Sequence, residues 1–208
     1  MTPYRGATRL ASEGQEKICT ERATMIVGFA GLAGAGKNAA AEALSYPTFA
    51  FADALRQMLL RLDPVLYETH EGDAVRLKEV IERVGWDKAK REAPEVRRLL
   101  QELGMAARDI SPYIFVDHLS ATIDLSKATA DYERNISITD VRFPNEREMV
   151  RWWDGKIIWI ERPGVENLGG PTENSITADD CDDFIVNDGT IEELHEKVRA
   201  SVKVLSGD

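Results

Sequence analysis

The sequence is poor in the residues that build metal clusters and disulfide frameworks. Its 208 residues include two cysteines, Cys19 and Cys181, and three histidines. None of these residues stand at the short spacings that are typical of zinc ligands. We therefore expect no zinc site. The two cysteines allow a disulfide without implying one, and reduced cysteines in a cytoplasmic protein are the simpler interpretation.

Long apolar runs and an excess of basic residues are also missing. A membrane-spanning helix needs about 18 uninterrupted apolar residues, and no segment approaches this, so we expect no membrane partner. The formal net charge is -10, from 26 lysines and arginines against 36 aspartates and glutamates. Binding to duplex nucleic acid draws on clustered basic residues, so the charge argues against that partner. A small phosphorylated ligand stays compatible, because it needs only a few well-placed cations.

The order of apolar runs indicates an α/β protein. Residues 1–24 mix charged and small polar residues without periodicity, so they are expected to form a flexible N-terminal extension. From residue 25 onward, short β-rich runs alternate with helical patterns, which predicts a three-layer fold with a parallel sheet covered by helices on both faces. Five strands are predicted, at residues 25–30, 48–51, 136–139, 156–160 and 184–186.

A long helical insertion separates the second and third predicted strands. It covers residues 52–125 and is far longer than an ordinary crossover. An insertion at the carboxyl edge of a parallel sheet is a place where a second substrate can be held. One of its predicted helices, at residues 74–84, is expected to end at Gly85. Its other helices are expected within residues 53–62, 94–108 and 112–123.

The last predicted helix has a clear start and a clear apolar face. Thr190 and Glu193 form a capping-box pair, which predicts that the helix begins there. Apolar residues then recur at helical spacing. The residues predicted to be buried are Ile191, Leu194, Val198 and Val202.

The motif with the clearest chemistry follows the first predicted strand. Residues 31–37 read Gly-Leu-Ala-Gly-Ala-Gly-Lys and match G-x-x-x-x-G-K, the P-loop whose backbone N–H groups bind nucleoside triphosphate. Small residues allow several N–H groups to point inward together, and Lys37 adds a cation for the β- and γ-phosphates. The residues assigned to the ATP phosphates are Gly31, Ala33, Gly34, Ala35, Gly36, Lys37 and Asn38.

One position departs from the usual pattern and moves the expected metal contact. Asn38 stands where Ser or Thr normally ligates Mg²⁺; its amide can accept from a metal-bound water but supplies no hydroxyl. Asp140 directly follows the apolar run 136–139, at the carboxyl end of a predicted strand, which suits a carboxylate that holds Mg²⁺. We predict Asp140 as the metal ligand with Asn38 in support. The alternative for Asp140 is a loop-capping role.

Two arginines are candidates for a second phosphate group. A guanidinium matches phosphate oxygens in geometry, and a charged hydrogen bond contributes ~1.5–3 kcal/mol. We predict that Arg56 and Arg142 grip the acceptor phosphate or the transferred group; an exposed arginine at a helix start is the alternative for Arg142. Asp53 could orient the acceptor sugar or metal waters; packing or helix capping is the alternative for this residue. The predicted catalytic set is Lys37, Asp140, Arg56 and Arg142.

Five stretches of the sequence carry a family pattern. They are residues 31–37, 51–56, 98–104, 140–146 and 187–190. The most distinctive is Asp-Val-Arg-Phe-Pro-Asn-Glu at 140–146. On these stretches the chain resembles the bacteriophage deoxynucleoside monophosphate kinases, and the resemblance covers nearly everything from Met25 to the C-terminus.

The resemblance implies a fold, a reaction and a setting. Residues 25–208 would form one P-loop kinase-like domain, with 52–125 as the insertion that binds the monophosphate. The reaction would be transfer of the ATP γ-phosphate to a deoxynucleoside monophosphate, with ATP and Mg²⁺. The setting would be the cytoplasm, that of the host cell for a phage-encoded protein. Many small kinases of this kind are dimers, so a homodimer is an expectation.

The resemblance also implies roles in the insertion and in the late turn. Arg97, Arg98 and Gln101 are expected to face the acceptor nucleotide, where the Gln101 amide could pair with a base edge. The residues expected beside the adenine are Asn187, Gly189 and Thr190. A turn at Gly189 and a helix cap at Thr190 are compatible with that role.

Two departures from the family pattern affect the metal and the late loop. Members often have Asp-Thr after the P-loop lysine, whereas this chain has Asn38 followed by Ala39. Members also tend to show His-x-Ser-Glu in the late loop, where this chain has Gly-Pro-Thr-Glu at 170–173. Glu173 is retained there as an expected substrate contact, and the histidine is not.

Two other functions remain open at this stage. A dephospho-coenzyme A kinase or another small-metabolite kinase shares the P-loop and the late turn. A nucleotide-binding switch that hydrolyses ATP or GTP slowly would lack a second phosphate site, so Arg56 and Arg142 would be dispensable in it. The accepted bases, and deoxyribose against ribose, depend on the shape of the pocket, which the sequence does not specify.

Overall fold

The computed structural model describes residues 25–129, 135–166 and 175–207. The expected N-terminal extension, residues 1–24, lies outside these ranges. The strands are β1 (Ile26–Ala30), β2 (Thr48–Phe49), β3 (Val65–Glu68), β4 (Ala74–Arg76), β5 (Ile136–Ile138), β6 (Lys156–Glu161) and β7 (Asp183–Val186). The helices are α1 (Lys37–Glu42), α2 (Ala52–Leu62), α3 (Leu77–Glu92), α4 (Pro94–Ile110), α5 (Ile114–Thr129), α6 (Pro144–Trp152) and α7 (Ile191–Ser206).

Five strands form one parallel sheet. Its order is β2-β5-β1-β6-β7, in which β1 pairs in parallel with β5 and β6, and β6 pairs in parallel with β7. All residues of the central strand β1 are buried, as its continuous apolar sequence predicts for a strand covered on both faces. The predicted α/β fold with a five-stranded parallel sheet is confirmed.

Helices cover both faces of this sheet. On one face, Val27 and Ile158 belong to a buried cluster that includes residues of α1 and α7. On the other face α6 approaches so closely that a Cβ added to Gly28 would lie 3.6 Å from Val150. Within the described ranges, none of the helices combines the length and the apolarity needed to cross a membrane.

The start of α7 agrees with its predicted capping box. The Glu193 N–H donates to Thr190 Oγ1 (3.2 Å), and the Glu193 carboxylate accepts from the Thr190 N–H (2.8 Å). The buried stripe consists of Leu194, Val198 and Val202. The prediction that Ile191 is buried was wrong, because this side chain is 58% exposed. It lies in the first turn, next to the exposed turn residues 188–190, outside the layer that covers the sheet.

The short helix α1 is fixed by α7. It has six residues, and an isolated helix of that length is not stable in water. The ring Nε2 of His195 lies 2.9 Å from the carbonyl oxygen of Ala39, and Arg199 donates to the carbonyl of Ala43 at 3.4 Å. These bonds supply acceptors at the end of α1 with donors from another helix.

Residues Phe49–Leu119 form a compact unit, and the described residues before and after them form another. The unit Phe49–Leu119 contains α2, α3, α4 and the start of α5, together with the two strands β3 and β4. Its core has the apolar residues Leu59, Val75, Leu77, Val80, Ala89 and Val96. It therefore has a hydrophobic core of its own, as a separate unit requires.

The hairpin of β3 and β4 was not predicted. The two strands pair in antiparallel fashion, and the turn between them is closed by the Thr69 N–H, which donates to the Asp73 carbonyl at 2.9 Å. The helix predicted to begin at residue 74 therefore begins at Leu77. Only Val75 is buried in β4, so the strand is too short to display an alternating pattern in the sequence.

Gly85 bends α3 instead of ending it. Its dihedral angles are φ 73° and ψ 167°, which are not helical, yet helix resumes and continues to Glu92. Glycine adopts this conformation at little steric cost. The predicted stop is thus a kink, because apolar residues beyond Gly85, among them Ala89, continue to pack into the core of the unit.

Candidate active site

The glycine loop between β1 and α1 is shaped by the strand next to it. Gly31 has φ +131°, and a Cβ at this position would lie 2.2 Å from the carbonyl oxygen of Ile160 in β6. No side chain fits in that space, which explains glycine at the first position of the motif. The loop consequently leaves the sheet in close contact with the neighbouring strand.

Lys37, the first residue of α1, lies across this loop. Its side chain is buried, with 7% of the residue exposed, and Nζ donates to the carbonyl oxygens of Gly31 and Leu32, both at 2.7 Å. A buried ammonium requires hydrogen-bond acceptors. Two backbone carbonyls of the glycine loop therefore bind the Lys37 ammonium.

The other loop residues differ in exposure. Gly34 and Asn38 are exposed, Ala33 is half-buried and Ala35 is buried. Asn187, at the end of β7, donates from Nδ2 to the Ala35 carbonyl at 2.8 Å. The loop is thus exposed at Gly34 and Asn38. At Ala35 it is bound by Asn187, which directly follows β7.

Asp140 lies at the same edge of the sheet as the glycine loop. It follows β5, which pairs with β1, and the N–H of the next residue, Val141, donates to the Phe29 carbonyl at 3.1 Å. Only 8% of Asp140 is exposed. This pairing places the Asp140 backbone beside the end of β1, from which the glycine loop starts.

Arg142 is held by a buried carboxylate. Glu146 is 2% exposed, and its Oε2 accepts from the backbone N–H groups of Arg142 (2.8 Å) and Phe143 (3.1 Å). Glu146 is the third residue of α6, where a carboxylate commonly caps the helix start. The loop from Asp140 to Arg142 is thereby fixed at both ends, by β1 and by α6.

The turn after β7 contains three candidate residues, and Lys197 of α7 binds this turn. Gly189 and Thr190 are exposed and Asn187 is half-buried. Lys197 donates to Asp188 at 2.7 Å and to the Val186 carbonyl at 2.8 Å. Lys197 also lowers the pKa of the Asp188 carboxyl through this hydrogen bond. Lys197 therefore joins the turn after β7 to helix α7.

The remaining candidates lie in the unit Phe49–Leu119 or outside the described residues. Arg56 forms an ion pair with Asp53 at 2.9 Å, and Asp53 also accepts from the N–H of Ala50, just before α2, at 3.0 Å. Glu173, the expected contact in the late loop, lies outside the described residues.

The candidate residues on α4 are exposed, and one of them, Arg98, forms ion pairs with its neighbours on the helix. Arg98 pairs with Glu95 and with Glu102, one turn before and one turn after it. These carboxylates raise the pKa of the Arg98 guanidinium, Glu95 most. Arg97 and Gln101 are exposed on the same helix. Ion pairs between exposed side chains contribute little stability, so Arg98 can exchange its partners for another anion at small cost.

Across the residues that the structure describes, no group of three or more His, Cys, Asp or Glu side chains could hold a metal ion.

A comparison with protein families decides the family of this chain. A family model described as deoxynucleotide monophosphate kinase matches residues 31–198. This range includes the glycine loop, the loop 140–146 and the turn after β7. The chain belongs to this family. The resemblance predicted from the five stretches is confirmed.

Relatives of this deoxynucleotide monophosphate kinase family member include a protein from a virus of bacteria. The deoxynucleotide monophosphate kinase of Enterobacteria phage T4 is 34% identical over 113 residues, which are 53% of this chain and 46% of the relative. The match thus spans about half the length of that relative.

Solved structures that resemble the chain include two kinases. Shikimate kinase from Aquifex aeolicus has 13% identity and a TM-score of 0.43, and the match covers 86% of this chain and 97% of that one. Dephospho-CoA kinase from Campylobacter jejuni has 14% identity and a TM-score of 0.43, with 90% of this chain and 100% of that one covered.

Two contacts at the site of this deoxynucleotide monophosphate kinase family member were missed at the sequence level. The carboxylate of Glu146 and the amide of Asn187 each bind loop backbone. Glu146 could have been found, because a glutamate three residues after a helix-start signal is a capping pattern. The partner of Asn187 lies 152 residues away, and no local pattern reports such a contact.

Proposed function

We propose that the chain transfers the γ-phosphate of ATP to a deoxynucleoside monophosphate and releases a deoxynucleoside diphosphate and ADP. One observation carries the proposal: a glycine loop crossed by Lys37 lies at the same sheet edge as Asp140 and the loop of Arg142. Membership of the deoxynucleotide monophosphate kinase family supports the choice of acceptor.

In this proposal the glycine loop binds the triphosphate of ATP. Backbone N–H groups of residues 31–38, other than that of Ala35, which donates to the Leu32 carbonyl, would donate to the β- and γ-phosphates. Lys37 would leave the carbonyls of Gly31 and Leu32 to follow the transferred group. The positive φ of the loop glycines supports this role, because it lets successive N–H groups face one anion. Adenine would lie against the turn of Asn187, Gly189 and Thr190.

Mg²⁺ fits the oxygen donors at this edge of the sheet. Mg²⁺ keeps several waters and commonly binds through one or two carboxylates together with substrate phosphates. Asp140 supplies a largely buried carboxylate, and Asn38 supplies an exposed amide that can accept from a metal-bound water. When bound, the ion would neutralise phosphate charge. We therefore propose Asp140 as the protein ligand, with Asn38 in support.

The acceptor is proposed to bind through arginines. Arg142 would grip the transferred group or the acceptor phosphate, since its backbone is fixed by Glu146. Arg56, which pairs with Asp53, would serve the acceptor phosphate or the transferred group, and Asp53 the sugar or the metal waters. Residues proposed for the rest of the acceptor are Arg97, Arg98, Gln101 and Glu173.

The chemistry asked of these residues is positioning and charge neutralisation. An oxygen of the acceptor monophosphate attacks the γ-phosphorus, and the bond from that phosphorus to the bridging oxygen of ADP breaks. Lys37, Arg56 and Arg142 would stabilise the charge on the moving phosphoryl group and hold donor and acceptor in line. No covalent intermediate with the protein is required.

The setting and the assembly belong to the same proposal. The reaction uses ATP and nucleotides, so we place the protein in the cytoplasm, that of the host cell for a phage protein. The phage origin of a relative supports this setting. A homodimer remains a prediction, and light scattering on the purified protein measures the molecular mass that decides it.

An ADP-release assay with a panel of acceptors tests the proposed function. Deoxynucleoside monophosphates, ribonucleoside monophosphates and dephospho-coenzyme A are compared with an acceptor-free reaction. We expect stimulation by at least one deoxynucleoside monophosphate. Stimulation by dephospho-coenzyme A alone would favour the metabolite kinase, and an unchanged rate with every acceptor would contradict a kinase and favour the switch.

Two variants separate the donor and acceptor roles. Lys37→Ala is expected to lower transfer by roughly 10²-fold or more, since it removes a preorganised charge at the transferred group. Arg142→Ala should raise the KM for the monophosphate and leave the affinity for ATP unchanged. Arg151→Ala, an exposed arginine at the other end of α6, is the control. Equal loss of ATP binding in Lys37→Ala and Arg142→Ala would refute the division of roles.

A further inference from the structure

Asn187 is fixed by the sheet before it reaches the glycine loop. Its backbone N–H donates to the carbonyl of Glu161, the last residue of β6, at 2.7 Å. Its side-chain Nδ2 then donates to the Ala35 carbonyl at 2.8 Å. Asn187 therefore adds one hydrogen bond to the pairing of β6 and β7. Because its backbone is fixed to the sheet, its side chain holds the loop at a fixed distance from the sheet.

The loop is built to accept this amide. A Cβ added to Gly36 would lie 2.5 Å from Nδ2 of Asn187, a distance that no real Cβ contact tolerates. Gly36 also has φ +101° and precedes the first residue of α1. The contact thus depends on glycine at this position, in addition to the backbone conformation that glycine permits.

The hydrogen bond fixes the direction of one peptide plane. In a trans peptide the C=O of one residue and the N–H of the next point in opposite directions. Since Asn187 holds the carbonyl of Ala35, the N–H of Gly36 must point away from Asn187. The N–H of Ala35 is already used inside the loop, where it donates to the Leu32 carbonyl at 3.2 Å. The orientation of the Gly36 N–H is therefore set from outside the loop.

We propose that Asn187 is a positioning residue of the triphosphate site, which holds the Ala35–Gly36 peptide so that the Gly36 N–H faces the phosphates, and that its amide does not select the base. The inference deepens the proposed function and rests on it. One N–H of the Asn187 amide is donated to the Ala35 carbonyl, which fixes the side chain at the loop. Replacing Asn187 should then lower the affinity by the same factor for ligands that have the same phosphates and different bases.

Calorimetric titration of three ligands tests this inference. ATP, GTP and inorganic tripolyphosphate are titrated, each with Mg²⁺, into the full chain and into Asn187→Ala. We expect a loss of affinity of about tenfold, the effect of one hydrogen bond, and the same factor for all three ligands. A loss confined to ATP would assign Asn187 to the base and overturn the inference, and so would unchanged affinity for all three.

A spectroscopic signature distinguishes positioning from general damage. In a ¹⁵N-labelled protein, tripolyphosphate should shift the Gly36 amide proton of the parent chain, and the shift should be much smaller in Asn187→Ala. Asp188→Ala, a change in the same turn that removes the ion pair with Lys197 and the bond of the carboxylate to its own backbone, is the control and should keep the shift. An equal shift in Asn187→Ala and the parent would contradict the proposal.

The failure of the inference can be told from failure of the proposed function. If the parent chain bound no triphosphate, the proposed function would fall, and the inference with it. If the parent bound all three ligands and Asn187→Ala matched it, only the inference would fall. Should the alanine variant not fold, Asn187→Ser keeps a polar side chain that is too short to reach the Ala35 carbonyl.

Discussion

Gly31 and Gly34 show at the scale of single residues how one motif contains two kinds of constraint. Both have positive φ, +131° and +87°. Only Gly31 also faces an obstacle, because a Cβ added there would lie 2.2 Å from the carbonyl oxygen of Ile160. The backbone conformation disfavours any side chain at both positions, whereas the packing excludes one at Gly31 alone.

Replacing these glycines by alanine should therefore give unequal losses of stability. Gly34→Ala introduces left-handed strain, which costs about 1–2 kcal/mol per residue. Gly31→Ala adds a clash with β6, so we expect the free energy of unfolding to fall by at least about 3 kcal/mol, the upper range for local backbone strain. Urea unfolding of the two variants measures the difference. Equal losses would mean that β6 yields to the new methyl group.

Two buried serines differ in their hydrogen bonding, so their replacement by alanine should change the free energy of unfolding in opposite directions. The Ser137 hydroxyl, in β5, is fully buried and has no hydrogen-bond partner within the described part of the chain. The Ser201 hydroxyl donates to the carboxylate of Asp183. An unsatisfied buried hydroxyl costs about 1–3 kcal/mol, and a hydrogen bond to a charged group contributes about 1.5–3 kcal/mol.

We accordingly expect Ser137→Ala to raise the free energy of unfolding by about 1 kcal/mol, and Ser201→Ala to lower it by about 1.5 kcal/mol or more. The midpoint of urea unfolding should move up in the first variant and down in the second, with unchanged slope. A lower midpoint for Ser137→Ala would show that its hydroxyl is bonded in solution.

At the scale of elements, α6 provides the anchor for the loop of Arg142. Pro144 starts this helix, as is common at a first helical position, and Glu146 binds backbone that precedes the helix. A buried carboxylate with two N–H donors fixes the loop more firmly than apolar packing does. The side chain of Arg142 can then be directed without a loop rearrangement.

Glu146→Ala should weaken both the fold and the acceptor site. It leaves the N–H groups of Arg142 and Phe143 without their acceptor, so we expect a loss of about 2–3 kcal/mol in the free energy of unfolding and a higher KM for the monophosphate. Glu146→Gln keeps an acceptor oxygen and should recover much of both. A Gln variant as impaired as the Ala variant would mean that the negative charge, and not the hydrogen bonding, matters.

The elements that could be predicted are those with long or repeated signals. The apolar run of β1, the glycine loop and the stripe of α7 are each visible within about ten residues, and the structure contains all three. The hairpin β3–β4 is not visible in the sequence because β4 has three residues, of which only Val75 is buried. The predicted stop at Gly85 is wrong because the sequence does not show whether packing continues beyond a glycine.

The candidate site divides in the same way. Gly31 to Lys37 follow from a contiguous motif, and the position of Asp140 follows from the rule that parallel strands end at one edge. The contacts of Asn187 and Glu146 arise from the tertiary fold, and the sequence contains their residues without their partners. Packing, in these cases, decides what a side chain binds.

At the scale of the whole molecule, the described chain consists of two compact units, and the glycine loop lies in only one of them. The tryptophans report on both, because Trp86 is the one tryptophan in Phe49–Leu119. The others, Trp152, Trp153 and Trp159, lie in the unit that contains the loop. In Trp86→Phe, all remaining tryptophans lie in the unit that contains the glycine loop. The tryptophan fluorescence of this variant therefore reports the unfolding of that unit.

ATP should stabilise the unit followed in this way. A ligand at 100 times its Kd adds about 2.7 kcal/mol to the free energy of unfolding when it binds the native state alone. We expect this shift in the urea unfolding of Trp86→Phe with ATP and Mg²⁺, and no shift at the same ATP concentration when Lys37→Ala is added. Stabilisation that persisted without Lys37 would place ATP away from the glycine loop.

The bonds from His195 and Arg199 to α1 have a consequence for biosynthesis. They join residues that are 156 positions apart in the chain, so the ribosome makes β1, the glycine loop and α1 long before α7 emerges. Contacts of such large sequence separation form late, after a long chain segment has been closed. The short helix that starts at Lys37 should therefore reach its final packing only near the end of translation, and a nascent chain that stops before α7 should not yet retain ATP.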